Sequence, residues 1–187
     1  MKRIIFIFTL GFIFCSLCVR GQINETEAKL LDCLKIETQD SIGYYFDEKK
    51  ECAIISTYFA LIKSSKDVSI LEVKKRFEPY MFGDFYSFLD ISTILLGYGL
   101  ESKCFLFEKK SEIFSYGFNK CIIHLKDKNI SSGGHFTFCF RGREGKLWIA
   151  DPAFGNKCIE FAPESEIFKS FSGIILNIVN PKEIELK

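Results

Sequence analysis

Histidine is the scarcest chemistry-bearing residue in this chain. Two occur in 187 residues, at positions 124 and 135. Any imidazole-based proton transfer must run through one of them. Charge of one sign is lacking too: 25 lysines and arginines stand against 24 aspartates and glutamates. The Lys and Glu are scattered, as on an ordinary solvated surface, and offer nothing to a nucleic acid. After residue 21 no C-x-x-C pair occurs. That removes the spacing of a zinc or thioredoxin-like site, and no metal or cofactor is expected. There is no internal repeat and no linker, so one domain is expected.

The first 21 residues read as an export signal rather than as part of a fold. Lys2 and Arg3 precede an uncharged run from Ile4 to Val19, and Val19-Arg20-Gly21 offers a cleavage point before Gln22. The run falls short of the ~20 residues of a spanning helix. An uncleaved anchor through residues 4–19, holding the chain on a membrane, is the alternative. Neither Cys15 nor Cys18 follows a Leu-small-small tripeptide, so lipid attachment is not indicated. Removing residues 1–21 takes away Lys2, Arg3 and Arg20 and leaves 22 basic and 24 acidic side chains, a net charge of −2. The remaining residues, 22–187, suffice for one domain with its own core. The chain is therefore expected in an exported location, periplasmic or extracellular, or anchored at the membrane.

Six cysteines remain, at 33, 52, 104, 121, 139 and 158. An even number in an exported chain suggests disulfides. Most lie in apolar text such as C-F-L-F and C-I-I-H-L, where a buried, unpaired thiol is equally natural. Cys52 differs. It follows the polar run Asp47-Glu48-Lys49-Lys50-Glu51 and opens A-I-I-S-T-Y-F-A-L-I, which reads as a helix apolar on nearly every side and therefore central. A sulfur at a helix N-terminus meets unpaired N–H groups and the positive end of the helix dipole. Both favour thiolate, the form that attacks carbonyl carbon.

The rest of the chain divides into helices followed by strands. Residues 22–40 read as a short surface helix and Tyr44-Tyr45-Phe46 as a brief strand. Ser69-Ile70-Leu71-Glu72 is a capping box for a helix to about Phe77, ended by Pro79. Ser87 and Asp90 form another, for a helix that stops at Gly97 or Gly99. Strands follow at L-E-S-K-C-F-L-F, K-C-I-I-H-L-K, H-F-T-F-C-F-R, K-L-W-I-A-D, K-C-I-E-F and I-I-L-N-I-V. A short helix begins at Pro163-Glu164-Ser165-Glu166. This order predicts an α+β domain with an antiparallel sheet.

Gly142-Arg143-Glu144-Gly145 joins two of these strands as a turn. Centred on Arg143, the hairpin sets residue 135 opposite 151, 137 opposite 149 and 139 opposite 147. Opposed residues share a face. His135 and Asp151 then become neighbours, while Phe136, Phe138, Phe140, Trp148 and Ala150 face the core. A thiol, an imidazole and a carboxylate in this order suggest a papain-like cysteine hydrolase. His135 would take the thiol proton and return it to the leaving amine, and Asp151 would orient the imidazole. Gly133 and Gly134 leave room for a substrate backbone. His124, inside C-I-I-H-L, reads as a core or cleft-wall residue.

From Glu51 to about Leu176 the chain resembles the bacteriocin-processing, double-glycine leader cysteine peptidases. The resemblance is carried by E-C-A-I-I-S-T-Y-F-A-L-I, S-I-L-E-V-K-K-R-F, G-D-F-Y-S-F-L-D-I-S-T-I-L-L-G-Y-G-L, C-I-I-H-L, G-G-H-F-T-F-C-F, L-W-I-A-D-P-A-F-G and F-S-G-I-I-L. Each block is weak alone; their order and spacing are specific. It implies a papain-like peptidase fold, with Cys52 as nucleophile, His135 as base and acid, and Asp151 as orienting carboxylate. The implied substrate is a peptide cut after a Gly-Gly pair, and the implied partner is peptide-export machinery.

Three departures qualify what carries over. The family's oxyanion glutamine, about six residues before the cysteine, is replaced by Phe46. Gln39 is the nearest upstream substitute, and loss of one oxyanion donor typically costs ~10²–10³ in rate. Ala53 stands for the glycine after the cysteine. A signal segment precedes, and no transporter sequence follows, so substrates met after export are expected. Two other readings share this fold. One is a catalytically weak module holding an extended peptide. The other is an acyl-transfer enzyme of transglutaminase-like or amidase type.

Overall fold

The computed structural model describes residues 51–80, 85–126, 134–142, 144–154, 158–179 and 181. The signal segment, the helix expected over 22–40, the strand expected over 44–46, Gln39 and Gly133 lie outside these residues.

Helix α1 (Cys52–Lys63) is the central element, and every residue from Cys52 to Leu61 is buried. An apolar surface all round forces that position. Its hydroxyls do not break the core because they fold back on the helix. Thr57 Oγ1 donates to the Ala53 carbonyl at 2.7 Å, and Ser64 Oγ to the Ala60 carbonyl at 2.7 Å. Helix α2 (Ile70–Phe77) starts where Ser69 Oγ accepts from the Glu72 N–H at 3.2 Å. Helix α3 (Phe88–Gly97) has the full reciprocal box between Ser87 and Asp90. A tight turn at Glu78–Tyr80, with Pro79 at its centre, follows α2.

Among the described residues six strands form one antiparallel sheet: β1 (Glu101–Leu106), β2 (Lys120–Leu125), β3 (His135–Arg141), β4 (Leu147–Ala150), β5 (Ile159–Phe161) and β6 (Phe171–Val179). Their order is β1-β6-β2-β3-β4-β5. Helices α1 to α3 cover one face. The α+β expectation is borne out. α1 lies against β3, where Phe59 and Phe138 rings meet at 6.4 Å.

One feature was not anticipated and two expectations need correction. First, the sheet is buried on both sides. Phe138, Phe140 and Ala150 join the core under α1, and Cys121, Cys139, Leu147 and Ile149 form a second one. A turn at Lys110–Phe114 and helix α4 (Glu166–Ser170) contribute Ile113, Ile167 and Phe168 to it. Small residues such as Thr137 and Cys139 disguised that face in the sequence. Second, α4 begins at Glu166 with Ser165 as its cap. Pro163 therefore precedes the helix rather than entering its first turn. Third, β6 starts at Phe171, ahead of the expected Ile174. Its pairing with β2 shifts between Ile123 and Leu125, and Gly173, at φ +90°, lies in the irregular stretch. Gly173 permits a bulge there.

Candidate active site

Two elements deliver the candidate residues: the start of α1 and the β3–β4 hairpin. Cys52 is the first residue of α1. Glu51 before it does not cap the helix with its side chain. It forms an ion pair with Lys74 of α2 instead. The first-turn N–H groups thus take no cap from the Glu51 side chain, at the point where the sulfur emerges. Cys52 Sγ accepts from the Phe136 N–H at 3.5 Å. That contact fixes the sulfur beside the first residues of β3.

The hairpin register differs from the expected one. Phe138 pairs with Ala150, Cys139 with Ile149, Phe140 with Trp148 and Arg141 with Leu147. Residue 139 therefore faces 149 rather than 147. The turn centres one residue later than expected, on Glu144, and the Gly142 N–H donates to the Lys146 carbonyl at 2.8 Å. The displacement along the partner strand is two residues, so every side chain keeps its face. His135 and Asp151 become diagonal rather than direct neighbours, a separation that long side chains bridge.

They do meet. His135 Nε2 lies 2.7 Å from Asp151 Oδ2, with His135 fully buried and Asp151 7% exposed. The carboxylate acceptor assigns the proton to Nε2. Asp151 is itself held. Its Oδ1 accepts from the Ala153 N–H at 2.9 Å, and its carbonyl accepts from the Phe154 N–H at 3.2 Å. The short turn Pro152–Phe154 supplies both donors. Phe154 also meets the imidazole edge-on, ring centroids 6.0 Å apart.

With Nε2 occupied, Nδ1 is the nitrogen left for the thiol. It is buried and makes no hydrogen bond of ordinary geometry among the described residues. Cys52 nevertheless bears on the ring, as one of the two groups that raise its pKa. Burial lowers the His135 pKa. It is outweighed by the hydrogen bonds to Asp151 and Cys52 and by their charges, so the value is raised from 6.5 to about 10. The site favours imidazolium.

Gly134 has φ +92°, and a Cβ there would stand 2.2 Å from His124 Nε2. Its missing side chain makes room for the His124 ring. That ring also meets Phe136 at 5.5 Å and Phe88 at 6.5 Å. These three rings pack on one another where α3 meets β2 and β3. Neither the Phe136 N–H nor the Phe154 ring figures in the sequence reading. Backbone donors leave no trace in composition, but an Asp-Pro pair directly after a strand does signal the turn that brings Phe154 over. Among the described residues no cluster of three or more His, Cys, Asp or Glu could hold a metal ion. No described helix is long and apolar enough to cross a membrane.

No protein-family model and no curated protein matches the chain. Solved structures do. A double-glycine motif protease from an AMS/PCAT transporter, in complex with its leader peptide, is 24% identical, with a TM-score of 0.54, over 68% of this chain and 82% of that one. The peptidase domain of Streptococcus ComA, a bifunctional ABC transporter of a quorum-sensing pathway, is 16% identical, with a TM-score of 0.56, over 72% and 94%. The fold is papain-like. At these identities the likeness extends to the arrangement of helices on the antiparallel sheet.

Proposed function

We propose that this chain is an exported cysteine peptidase that hydrolyses peptide bonds through Cys52, His135 and Asp151. The observation that carries the reading is the sealed His135–Asp151 hydrogen bond beside a sulfur at a helix N-terminus. Papain-like peptidase domains of similar fold support the reaction class.

The chemistry follows from the atoms. His135 Nδ1 takes the thiol proton, and the thiolate attacks the scissile carbonyl carbon. Negative charge grows on the carbonyl oxygen, near the uncapped N–H groups of α1, the Cys52 N–H first among them. The imidazolium returns its proton to the leaving amine. Water then cleaves the thioester, with His135 as base. Asp151 keeps Nε2 protonated and Nδ1 directed at sulfur throughout.

The substrate class proposed is an extended peptide with small residues at the cut, of the leader type seen with the transporter protease. Gly133 and Gly134 would border its path. Residues 1–21 would direct export and residues 22–187 form the peptidase domain, with peptide-export machinery as the expected partner. Gln39 remains the candidate second oxyanion donor. Phe46 in the place of the family's glutamine favours one other reading, a peptide-binding module of low turnover.

Incubation of the mature chain with double-glycine leader peptides and a mixed peptide library tests this. Defined cleavage products that vanish in Cys52→Ala are expected. Saturable peptide binding without products in either protein would establish the binding module instead. Products that incorporate an added amine would mark acyl transfer.

A further inference from the structure

Cys121 of β2 and Cys139 of β3 stand directly opposite each other on the antiparallel ladder. Two residues outward, the Arg141 N–H donates to the Asn119 carbonyl at 2.8 Å. By alternation Cys121 and Cys139 are also a hydrogen-bonded pair, with Cα atoms about 5.5 Å apart. That Cα spacing lies inside the roughly 4.4–6.8 Å over which disulfides close, and closure needs the Cβ atoms, about 4.5–5.5 Å apart across the ladder, drawn in to about 3.5–4.5 Å. Both side chains point into the same core, and both are fully buried. Both are free thiols in this structure, and burial, with Cys139 beside it, pushes the Cys121 thiol well up. The other described cysteines are placed differently. Cys104 faces Leu176 across β1 and β6, and Cys158 packs on the opposite core.

We propose that Cys121 and Cys139 close to a cross-strand disulfide when the chain folds in an oxidising compartment. The bond ties β2 to the strand that carries His135. The oxidant is an external disulfide, of glutathione or of a thiol oxidoreductase. One cysteine attacks it as thiolate, displaces one external thiol and leaves a mixed disulfide. The second cysteine displaces the other external thiol. The pair loses two protons and two electrons, and the external disulfide becomes two thiols. Burial and the raised Cys121 thiol make this slow in the folded protein, so closure belongs to folding.

The test uses the full chain carrying Cys52→Ala, so that its outcome is independent of peptidase activity. The chain is refolded in glutathione buffers, blocked with N-ethylmaleimide and mapped without reduction. Expected is one peptide containing Cys121 joined to one containing Cys139, two hydrogen masses below their sum. Reduction should then lower Tm by roughly 5–12 °C. The Cys121→Val/Cys139→Val variant should show no such drop. The chain as secreted, blocked before lysis, gives the same map without refolding. Cys121 and Cys139 each alkylated separately, or joined to other cysteines, would overturn the proposal.

Discussion

The imidazole of His135 and the carboxylate of Asp151 meet at 2.7 Å inside the protein, although they are diagonal rather than paired on the hairpin. A charged pair out of water persists only when its remaining polar atoms are also met. The Ala153 N–H does this for Asp151 Oδ1. Asp151→Asn keeps the shape and removes the charge. The variant should fold, and its kcat/KM for a cleaved peptide should fall by about 10²–10⁴. The pH dependence separates this from a structural effect: the alkaline limb should move toward lower pH as the imidazolium loses its counter-charge.

Stability should also depend on pH through His135. Its pKa is raised in the folded protein, from 6.5 to about 10. A group bound more tightly to its proton in the folded state stabilises the fold fully below its unfolded pKa. That contribution is lost as pH rises through the folded value. Tm should therefore decline between pH 6.5 and 10, and His135→Gln should flatten the decline. An equal slope in both proteins would assign the dependence to other groups.

Gly134→Ala carries two penalties. A residue other than glycine at φ +92° is strained, by about 1–3 kcal/mol. The new Cβ also meets His124 Nε2. Thermal unfolding should show the sum. The Gly134→Ala/His124→Ala pair should recover the collision but not the backbone strain, giving a non-additive cycle.

Phe138 joins the sheet to α1 and is fully buried against Phe59. Phe138→Ala should cost about 3–5 kcal/mol in denaturant unfolding. Because β3 also holds His135, the same change should slow Cys52 alkylation under conditions where the protein is still folded. Loss of stability with unchanged alkylation would mean that the packing does not set the sulfur–imidazole distance.

Much of this architecture is legible in the sequence because it is local. Ser69 and Ser87 announce their helices through chemistry within three residues, and α1 announces its burial by having no polar face. The hairpin faces are legible for a related reason. Side chains alternate with period two, so misplacing the partner by two residues leaves His135 and Asp151 on one side. The register itself is not legible, because Gly142-Arg143-Glu144-Gly145 admits more than one turn centre. Long-range pairings are hidden altogether. Nothing near Glu51 marks Lys74, 23 residues on, as its partner. Nothing near Cys52 marks the Phe136 N–H. The second core is hard to read because β3 presents the small residues Thr137 and Cys139 on that face.

The reactivity of Cys52 toward iodoacetamide at pH 5.5, compared between the native chain and His135→Ala, tests the central claim most directly. The account predicts rapid alkylation of Cys52 in the native chain and a loss of at least about tenfold in the variant, since only a thiolate held by imidazolium reacts at that pH. Equal, slow alkylation of Cys52 in both proteins would contradict it.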